Sequence, residues 1–262
     1  MPVTDARGLP SDSLIQADLV IIGGGIAGLI LAHELAGSAM RVAILEGGGL
    51  QPDPEIQKLY DGPALMKGPG NPDRAINSYL GQSRVRALGG SGHVWGGKCG
   101  PLDAVDFAAR AWRPLSGWPF GRKELKPFYD RACDRLKLPR FPEDGGLPQG
   151  TQQKPVGEAS STLRSSPRAY SPLSGRVDAA AFKQFCEAAA QADNIEIYLH
   201  ANVTGIRLNA SGQVDHLEVR CLSGTQMKAR GRRYVLAAGG VENARLLLAS
   251  NKEQPNGVAN AA

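Results

Sequence analysis

Hydrophobic positions near the start of the chain follow the pattern of a strand, a helix and a second strand. Residues 19–22 are apolar and rich in β-branched side chains, and residues 26–36 have the composition of a helix that follows a glycine-rich turn. A second apolar stretch, residues 41–45, ends at Glu46. Continuous apolar strands separated by a helix are typical of a parallel sheet covered on both faces. The pattern therefore predicts a βαβ unit within an α/β fold.

The regular pattern returns in the second half of the chain. Residues 178–192 are predicted to form an Ala-rich helix whose apolar face contains Phe182, Phe185 and Ala189. The predicted strands that follow are residues 195–199, 203–208, 214–222 and 234–237. The last of them enters a glycine junction, Ala238-Gly239-Gly240, and a helix begins near Val241. This second strand–glycine–helix junction indicates that the parallel sheet resumes late in the chain, after a β-meander.

The turn of the first βαβ unit carries a dinucleotide-binding spacing. Gly23, Gly25 and Gly28 supply G-x-G-x-x-G, and Glu46 lies 18 residues beyond Gly28. The first glycine permits the tight turn, the second lets a pyrophosphate approach the backbone, and the third lets the helix pack closely on the strand. The helix N-terminus directs free N–H groups at the phosphates, and the acidic side chain binds a ribose. The alternative is a glycine-rich turn in another kind of α/β protein.

The middle of the chain is rich in proline. Residues 50–75 contain five prolines and residues 139–175 contain six, so neither stretch can form a long regular element. Residues 121–138 are predicted to form an amphipathic helix with a buried side of Leu125, Phe128, Tyr129 and Leu136. The predicted division is a flexible tail at residues 1–16, a discontinuous nucleotide-binding domain at residues 17–110 and 176–262, and an inserted lid or partial substrate region at residues 111–175.

Composition excludes several other functions. The net charge of the 262 residues is only +5, and no run of Lys or Arg favours nucleic acid. No stretch approaches the roughly 20 apolar residues of a membrane span, and no signal peptide is visible, so a cytoplasmic location is predicted. The cysteines are far apart and form no C-x-x-C pair, which argues against a zinc site or a redox dithiol. No metal is expected. The cysteines are Cys99, Cys133, Cys186 and Cys221.

A second glycine-rich segment indicates which dinucleotide, NAD or FAD, the chain binds. Residues 84–106 contain Leu88-Gly89-Gly90-Ser91, followed by His93 and then by Trp95-Gly96-Gly97. Bare backbone beside a tryptophan and a histidine suits packing against a large flat ligand, such as the isoalloxazine ring of a flavin. The alternative for this segment taken alone is a structural glycine loop.

With these motifs in place, the chain resembles the glucose–methanol–choline (GMC) flavoprotein oxidoreductases over about residues 17–250. The resemblance rests on Gly23-x-Gly25-x-x-Gly28 with Glu46, Leu88-Gly89-Gly90-Ser91 leading to Trp95-Gly96-Gly97, Ser116-Gly117-Trp118-Pro119 with the helix after it, His200-Ala-Asn-Val203, and the junction from Ala237 to Leu248. The segment from Leu88 to Gly97 and the junction from Ala237 to Leu248 look closest to the sugar- and polyol-oxidising bacterial branch.

The resemblance implies an FAD-binding, Rossmann-like parallel sheet with a β-meander and an inserted, incomplete cap or substrate region. It places Gly23, Gly25 and Gly28 on the FAD pyrophosphate and Glu46 on the adenosine ribose. The backbone at Val203 is expected to border the adenine. The remaining expected cofactor residues are Gly89, Gly90 and Ser91 along the flavin, and Gly239 and Gly240 at the ribityl and pyrophosphate region.

The resemblance also implies the reaction, which is oxidation of a CH–OH group on a sugar, polyol or other alcohol by hydride transfer to flavin N5. In this family a histidine near the C-terminus removes the hydroxyl proton, assisted by a His or Asn partner. The histidines of this chain, His33, His93, His200 and His216, do not match that pair, which is expected to be absent. His93 is one place too early for the covalent flavin link of some relatives, so FAD is expected to be noncovalent.

The expected partners are a small-molecule alcohol or sugar, and either an electron-acceptor protein or a missing C-terminal half. Reduced flavin would pass electrons to a quinone, a cytochrome, a dye or oxygen. Two other functions remain open: an NAD(P)H-using flavin reductase, for which a second complete G-x-G-x-x-G unit is missing, and a flavin-binding module or truncated protein without catalysis of its own. Exposed apolar surface is expected around residues 112–118 and 246–248.

Overall fold

The computed structural model describes residues 3–62, 64–68, 71–76, 79–114, 116–142 and 168–259. They divide into two compact units, Met1–Val94 with Phe182–Ala262, and Trp95–Ala181. The strands are β1 (Val3–Asp5), β2 (Leu14–Ile22), β3 (Val42–Leu45), β4 (Ala64–Gly68), β5 (Asn71–Ile76), β6 (Lys98–Cys99), β7 (Ala169–Tyr170), β8 (Ile195–Leu199), β9 (Asn202–Leu208), β10 (Val214–Arg220) and β11 (Gln226–Leu236). The α-helices are α1 (Ile26–Leu35), α2 (Pro54–Gln57), α3 (Tyr79–Gln82), α4 (Ala104–Phe107), α5 (Arg122–Arg135), α6 (Ala179–Ala188) and α7 (Gly240–Ala249).

The first unit is built on a seven-stranded sheet in the order β1-β8-β3-β2-β11-β10-β9. The five strands from β1 to β11 in this order pair in parallel, whereas β11, β10 and β9 pair antiparallel. The mixed α/β fold predicted from the sequence, with a parallel sheet and a meander, is therefore confirmed. Because the five parallel strands share one direction, their carboxyl ends meet at one edge of the sheet.

The meander folds back over one face of the parallel sheet. Only His200 and Ala201 separate β8 from β9, although these strands are far apart in the sheet order, so the sheet must curl to bring their ends together. The core between the two layers contains Val20 and Leu45 from the parallel strands, together with Leu217 from the meander. The strand alternation that sends these side chains inward directs Ile21 and Ile44 to the opposite face.

That opposite face is covered by helices. Ile21 and Ile44 are fully buried there, and Leu29 of α1 is fully buried as well. Helix α1 lies against β3, and His33 of α1 contacts Phe185 with a ring-centroid distance of 4.9 Å. The predicted apolar face of Phe182, Phe185 and Ala189 is buried. The helical composition of residues 26–36 thus gives a helix that lies on the sheet and starts at the glycine turn.

In the second unit, hydrogen bonds to backbone carbonyls hold the chain together. Ser171 Oγ donates to Leu136 O at 2.6 Å, Ser174 Oγ donates to Trp95 O at 2.7 Å, and Trp95 Nε1 donates to Leu173 O at 3.1 Å. Much of the predicted loop at residues 139–175 lies outside the described residues. The described part of the chain contains no helix with both the length and the apolar character needed to cross a bilayer.

Two sequence-based predictions are wrong. Residues 3–16 are not a flexible tail, because β1 pairs in parallel with β8 and β2 already begins at Leu14. Buried Ala6 and Ile15 give this segment its place in the core. Phe128 is not buried, because it is 56% exposed. The Arg131 guanidinium lies over the Phe128 ring, 5.0 Å from the ring centroid. The boundaries predicted for the two larger domains stay a prediction.

The expected apolar surface is present in part. Trp112 and Trp118 are 77% and 56% exposed, and Leu248 is 56% exposed. Leu246, by contrast, is buried in the core beneath the meander. Helix α7 lies against β9, so its apolar side is used within the first unit.

Gly28 provides a test of this packing. A Cβ at Gly28 would lie 2.2 Å from the carbonyl oxygen of Gly23, so Gly28→Ala must displace the turn or the helix. We expect Gly28→Ala to lower the free energy of unfolding by about 3 kcal/mol, measured by urea denaturation. Gly8→Ala is the control, because a Cβ there meets nothing within 4 Å. Equal unfolding midpoints for the two variants would contradict this account of the packing.

Candidate functional site

Polar and glycine-rich junctions follow the parallel strands at their carboxyl edge. Gly23 follows β2, Glu46 follows β3, His200 follows β8, and Ala237 follows β11. In open α/β sheets, ligands bind in the crevice outside this edge. The edge is therefore the candidate site.

Two glycines of the first turn are required by the protein's own packing. Gly23 has a φ of +106° and its N–H donates to Leu45 O at 2.9 Å. A Cβ on Gly23 would lie 2.7 Å from the carbonyl oxygen of Ala237, and one on Gly28 would clash with Gly23 itself. These contacts agree with the tight turn and the close helix packing predicted for the two residues.

Gly25 differs from these two. Its φ of −75° is open to any residue, and an added Cβ would lie 3.9 Å from the nearest atom, the Cα of Gly90. The protein alone therefore has room for a methyl group at this position. Leu29 N–H is the donor to Gly25 O, so the N–H groups of residues 26–28 point out of the end of α1. Open backbone beside a helix N-terminus is the arrangement that an anionic phosphate needs.

The second glycine segment lies alongside the first turn. Gly89 N–H donates to Gly24 O at 2.8 Å, and Gly89 forms a parallel bridge with Gly25. Gly89 and Gly90 have positive φ values of +97° and +55°. A Cβ on Gly90 would lie 3.0 Å from the Cα of Gly25. Gly25, Gly89 and Gly90 are thus brought together, and exposed Ser91 follows in a short 3-10 turn.

Glu46 directly follows β3 at the same edge of the sheet and is buried. Its Oε2 accepts the Gly24 N–H at 2.9 Å, and its Oε1 accepts the Gly48 N–H at 2.8 Å. Burial raises the pKa of the Glu46 carboxyl, while the backbone N–H groups of Gly48, Gly24 and Gly47 and the Arg86 charge act against that rise. The carboxylate predicted for ribose binding is therefore fixed in place by the first glycine turn and by its own loop.

The late glycine junction is open to the outside. Gly239 has a φ of +88°, and a Cβ added to Gly239 or Gly240 would meet nothing within 4 Å. Asn243 closes the turn, since its Oδ1 accepts the Ala238 N–H at 3.0 Å and its N–H donates to Gly239 O at 2.9 Å. Ala237 N–H donates to Ile22 O at 2.8 Å, which places this junction beside the first glycine turn.

Val203 has a different environment. Its side chain is buried in the core, and it pairs with Val219 near the start of β9. The preceding residue, Asn202, accepts a hydrogen bond at 3.0 Å from Arg86 Nη1. The expected role of the Val203 backbone beside the adenine stays a prediction.

An ion cluster that the sequence analysis missed lies behind these junctions. Buried Glu242 of α7 accepts from Arg84 Nη1 at 3.0 Å, from Arg86 Nη2 at 3.4 Å and from Arg245 Nε at 2.8 Å. The guanidinium groups of Arg84 and Arg86 lie 4.1 and 4.6 Å from the ring centroid of Tyr60. Burial alone would raise the pKa of Glu242, but the three arginines outweigh it and the pKa is lowered. The sequence feature that could have indicated this cluster is the pair of arginines, Arg84 and Arg86, just before a glycine segment.

Two histidines lie near the carboxyl edge. His93 Nε2 is 2.8 Å from Leu88 O, and its ring meets Phe182 edge-on at a centroid distance of 5.0 Å. His200 is buried with a φ of +58°, and its backbone N–H donates to Gly48 O. Burial, together with the charge of nearby Arg7, lowers the pKa of His200.

The other two histidines have structural contacts away from that edge. His33 Nε2 lies 3.0 Å from Phe185 O, between two helices. His216 on β10 lies 2.6 Å from the carboxylate of Asp215. The four imidazoles are thus held in four separate environments. Among the residues that the structure describes, no three His, Cys, Asp or Glu side chains are grouped so that they could hold a metal ion.

The chain is similar to known proteins over most of its length. No protein-family model matches the chain. The fructose dehydrogenase large subunit of Gluconobacter japonicus is 23% identical over 329 residues, which cover 95% of this chain and 57% of that protein. Pyridoxine 4-oxidase from Mesorbium loti is 23% identical with a TM-score of 0.59, over 89% of this chain and 51% of that one. A structure concerning FAD modification in Aspergillus oryzae formate oxidase is 18% identical with a TM-score of 0.54, over 92% and 48%.

The chain thus spans about half the length of the proteins it matches. At these identities the solved structures show the fold. Together the comparisons confirm the resemblance to the GMC oxidoreductases that the motifs predict.

The Glu242 cluster makes a testable prediction. Glu242→Ala leaves two largely buried guanidinium groups without their carboxylate, so we expect it to lower the free energy of unfolding at pH 7 by about 3 kcal/mol. Because the folded-state pKa of Glu242 is lowered, its stabilisation is present above the unfolded value of 4.5 and is lost as the pH falls through the folded value. The difference between wild type and variant should therefore shrink in acid.

The control is Glu187→Ala, which removes an exposed carboxylate 3.8 Å from Lys183. We expect a loss of no more than about 1 kcal/mol there. Urea denaturation between neutral pH and pH 3 measures both effects. Equal losses at pH 7 would show that the buried cluster does not stabilise the fold.

Proposed function

We propose that this chain is the FAD-binding part of a GMC-type oxidoreductase that oxidises a CH–OH group on a sugar, polyol or other alcohol. The observation that carries the proposal is the convergence of Gly25, Gly89–Gly90 and Gly239–Gly240 beside buried Glu46 at one edge of a parallel sheet. Bound FAD would supply a hydride acceptor, N5 of its isoalloxazine ring, for the alcohol. The resemblance to proteins that are twice as long supports the family chemistry.

The residues fit this cofactor in three ways. The protein's own packing leaves room for a methyl group at position 25, so a pyrophosphate that lies on this residue accounts for the absence of a side chain. Glu46 holds a carboxylate at the same edge of the sheet, as a ribose requires. Gly239 and Gly240 leave open space next to the N-terminus of α7, where the helix dipole favours an anion.

The proposed attachment of FAD is noncovalent. His93 Nε2 already lies at hydrogen-bond distance from Leu88 O, and its ring packs edge-on against Phe182. A covalent flavin link through Nε2 would have to break its contact with Leu88 O. One similar structure concerns FAD modification in formate oxidase, which makes the mode of attachment worth measuring.

A second candidate function is a flavin-binding module without catalysis of its own. It is favoured by the four histidines, which occupy separate environments and include no pair arranged as a proton acceptor and its partner. Under the main proposal, the base that takes the hydroxyl proton comes from the remaining half of a longer protein. The electron acceptor is then a quinone, a cytochrome partner, a dye or oxygen.

The experiment is the visible absorption spectrum of the purified chain before and after acid precipitation. We expect flavin bands near about 370 and 450 nm that move to the supernatant in acid, because the FAD is held without a covalent bond. Bands that stay in the pellet would refute noncovalent attachment. A colourless chain that takes up no added FAD would refute the proposed function.

The matched variant is Gly25→Ala, with Gly8→Ala as its control. A methyl group at Gly25 has room in the protein but occupies the surface where the pyrophosphate is proposed to lie. We expect Gly25→Ala to keep the wild-type unfolding midpoint and to bind FAD at least about tenfold more weakly. Unchanged FAD affinity in this variant would place the pyrophosphate elsewhere.

A further inference from the structure

The acceptor capacity of Glu46 is partly used by the protein. An ionised carboxylate offers about four lone-pair positions, and the N–H groups of Gly24 and Gly48 take one on each oxygen. The Gly47 N–H also stabilises the charged carboxylate, but each oxygen accepts one hydrogen bond from the described residues, so acceptor capacity remains on both oxygens. Two acceptors at the spacing of one carboxylate match the two adjacent hydroxyls of a ribose. Protonation of Glu46 would turn one of its two oxygens into a donor and weaken its binding of the two ribose hydroxyls.

Arg86 packs against the loop that carries Glu46. Its Nη1 lies 2.5 Å from where a Cβ of Gly47 would be, and its carbonyl oxygen lies 2.1 Å from where a Cβ of Gly48 would be. Glycine at positions 47 and 48 therefore leaves the space that Arg86 occupies. The Arg86 side chain is only 13% exposed, and Nη1 also donates to Asn202 Oδ1.

Arg86 contacts one carboxylate, Glu242, and its positive charge also acts on Glu46. Glu242 is the carboxylate in direct contact with Arg86, at 3.4 Å, and it is shared with Arg84 and Arg245 at shorter distances. The charge of Arg86 acts against the burial-driven rise in the pKa of Glu46, and the charge of Glu46 in turn contributes to the raised pKa of Tyr60. The positive charge of Arg86 favours the ionised carboxylate, which burial opposes.

We propose that Arg86 is a positioning residue for cofactor binding, which holds the Gly47-Gly48 turn and keeps Glu46 as a double acceptor for the adjacent ribose hydroxyls. The inference rests on the proposed function, since it takes FAD as the ligand. It assigns a role to an arginine that precedes the glycines of the second glycine-rich segment and is not one of the cofactor residues that the resemblance implies. Arg84 shares Tyr60 and Glu242 with Arg86, but the atoms nearest a Cβ at Gly47 belong to Arg86 and Asn202, so Arg84 serves as the matched control.

The test is the dissociation constant of FAD, measured by flavin fluorescence between pH 5 and pH 8. The proteins are wild type, Arg86→Met, Arg86→Lys and Arg84→Met. We expect Arg86→Met to bind FAD about tenfold more weakly at pH 7.5 and to lose binding at a pH about one unit higher than wild type. Arg86→Lys keeps the charge and should restore the wild-type pH profile. Arg84→Met should keep that profile as well.

Glu46→Gln decides the matter if Arg86→Met does not fold, because it removes the titrating group and leaves Arg86 in place. We expect its FAD binding to be weaker and independent of pH over this range. The inference is overturned if Arg86→Met and Arg84→Met share one pH profile, or if Glu46→Gln keeps the wild-type pH dependence. Failure of the wild-type chain to bind FAD at any pH would instead refute the proposed function itself.

Discussion

The structure depends on the close approach of backbone segments at the carboxyl edge of the parallel sheet. Gly23 is the centre of this contact: its N–H binds Leu45 O, its Cα faces the carbonyl of Ala237, and its own carbonyl touches the bare Cα of Gly28. No side chain larger than hydrogen fits at either glycine. Since three strands and a helix meet here without side chains between them, the junctions that follow the strands are brought into one crevice.

Two buried carboxylates join these junctions to one another by hydrogen bonds. Glu46 joins the first glycine turn to its own loop through two backbone N–H groups, and Glu242 joins α7 to the arginine segment that precedes Gly89. Arg86 reaches both of them, directly at Glu242 and by its charge at Glu46. Buried charges of this kind are costly unless they are hydrogen-bonded, and here each carboxylate oxygen has a donor. The site is therefore held together by hydrogen bonds within the protein itself.

The sequence predicted those parts of the fold that depend on local pattern. The βαβ unit, the Ala-rich helix and the meander follow from the spacing of apolar residues, and the glycines follow from steric demands within a few residues. β1 was missed because three residues have no usable periodicity, and its strand character comes from pairing with β8. The Glu242 cluster was missed for a related reason, since Arg84 and Glu242 are 158 positions apart and meet only in the folded chain.

The central claim is that the carboxyl edge forms a cradle for a dinucleotide, with separate places for diphosphate and ribose. It is tested most directly by the thermal unfolding midpoint of the chain with saturating FAD and, separately, with the same concentration of riboflavin, which has neither diphosphate nor adenosine. A ligand that binds the folded state alone raises the midpoint, by about 5 °C at a hundredfold excess over its dissociation constant. The account predicts such a rise with FAD and little with riboflavin. Equal shifts for the two ligands, or no shift with FAD, would contradict it.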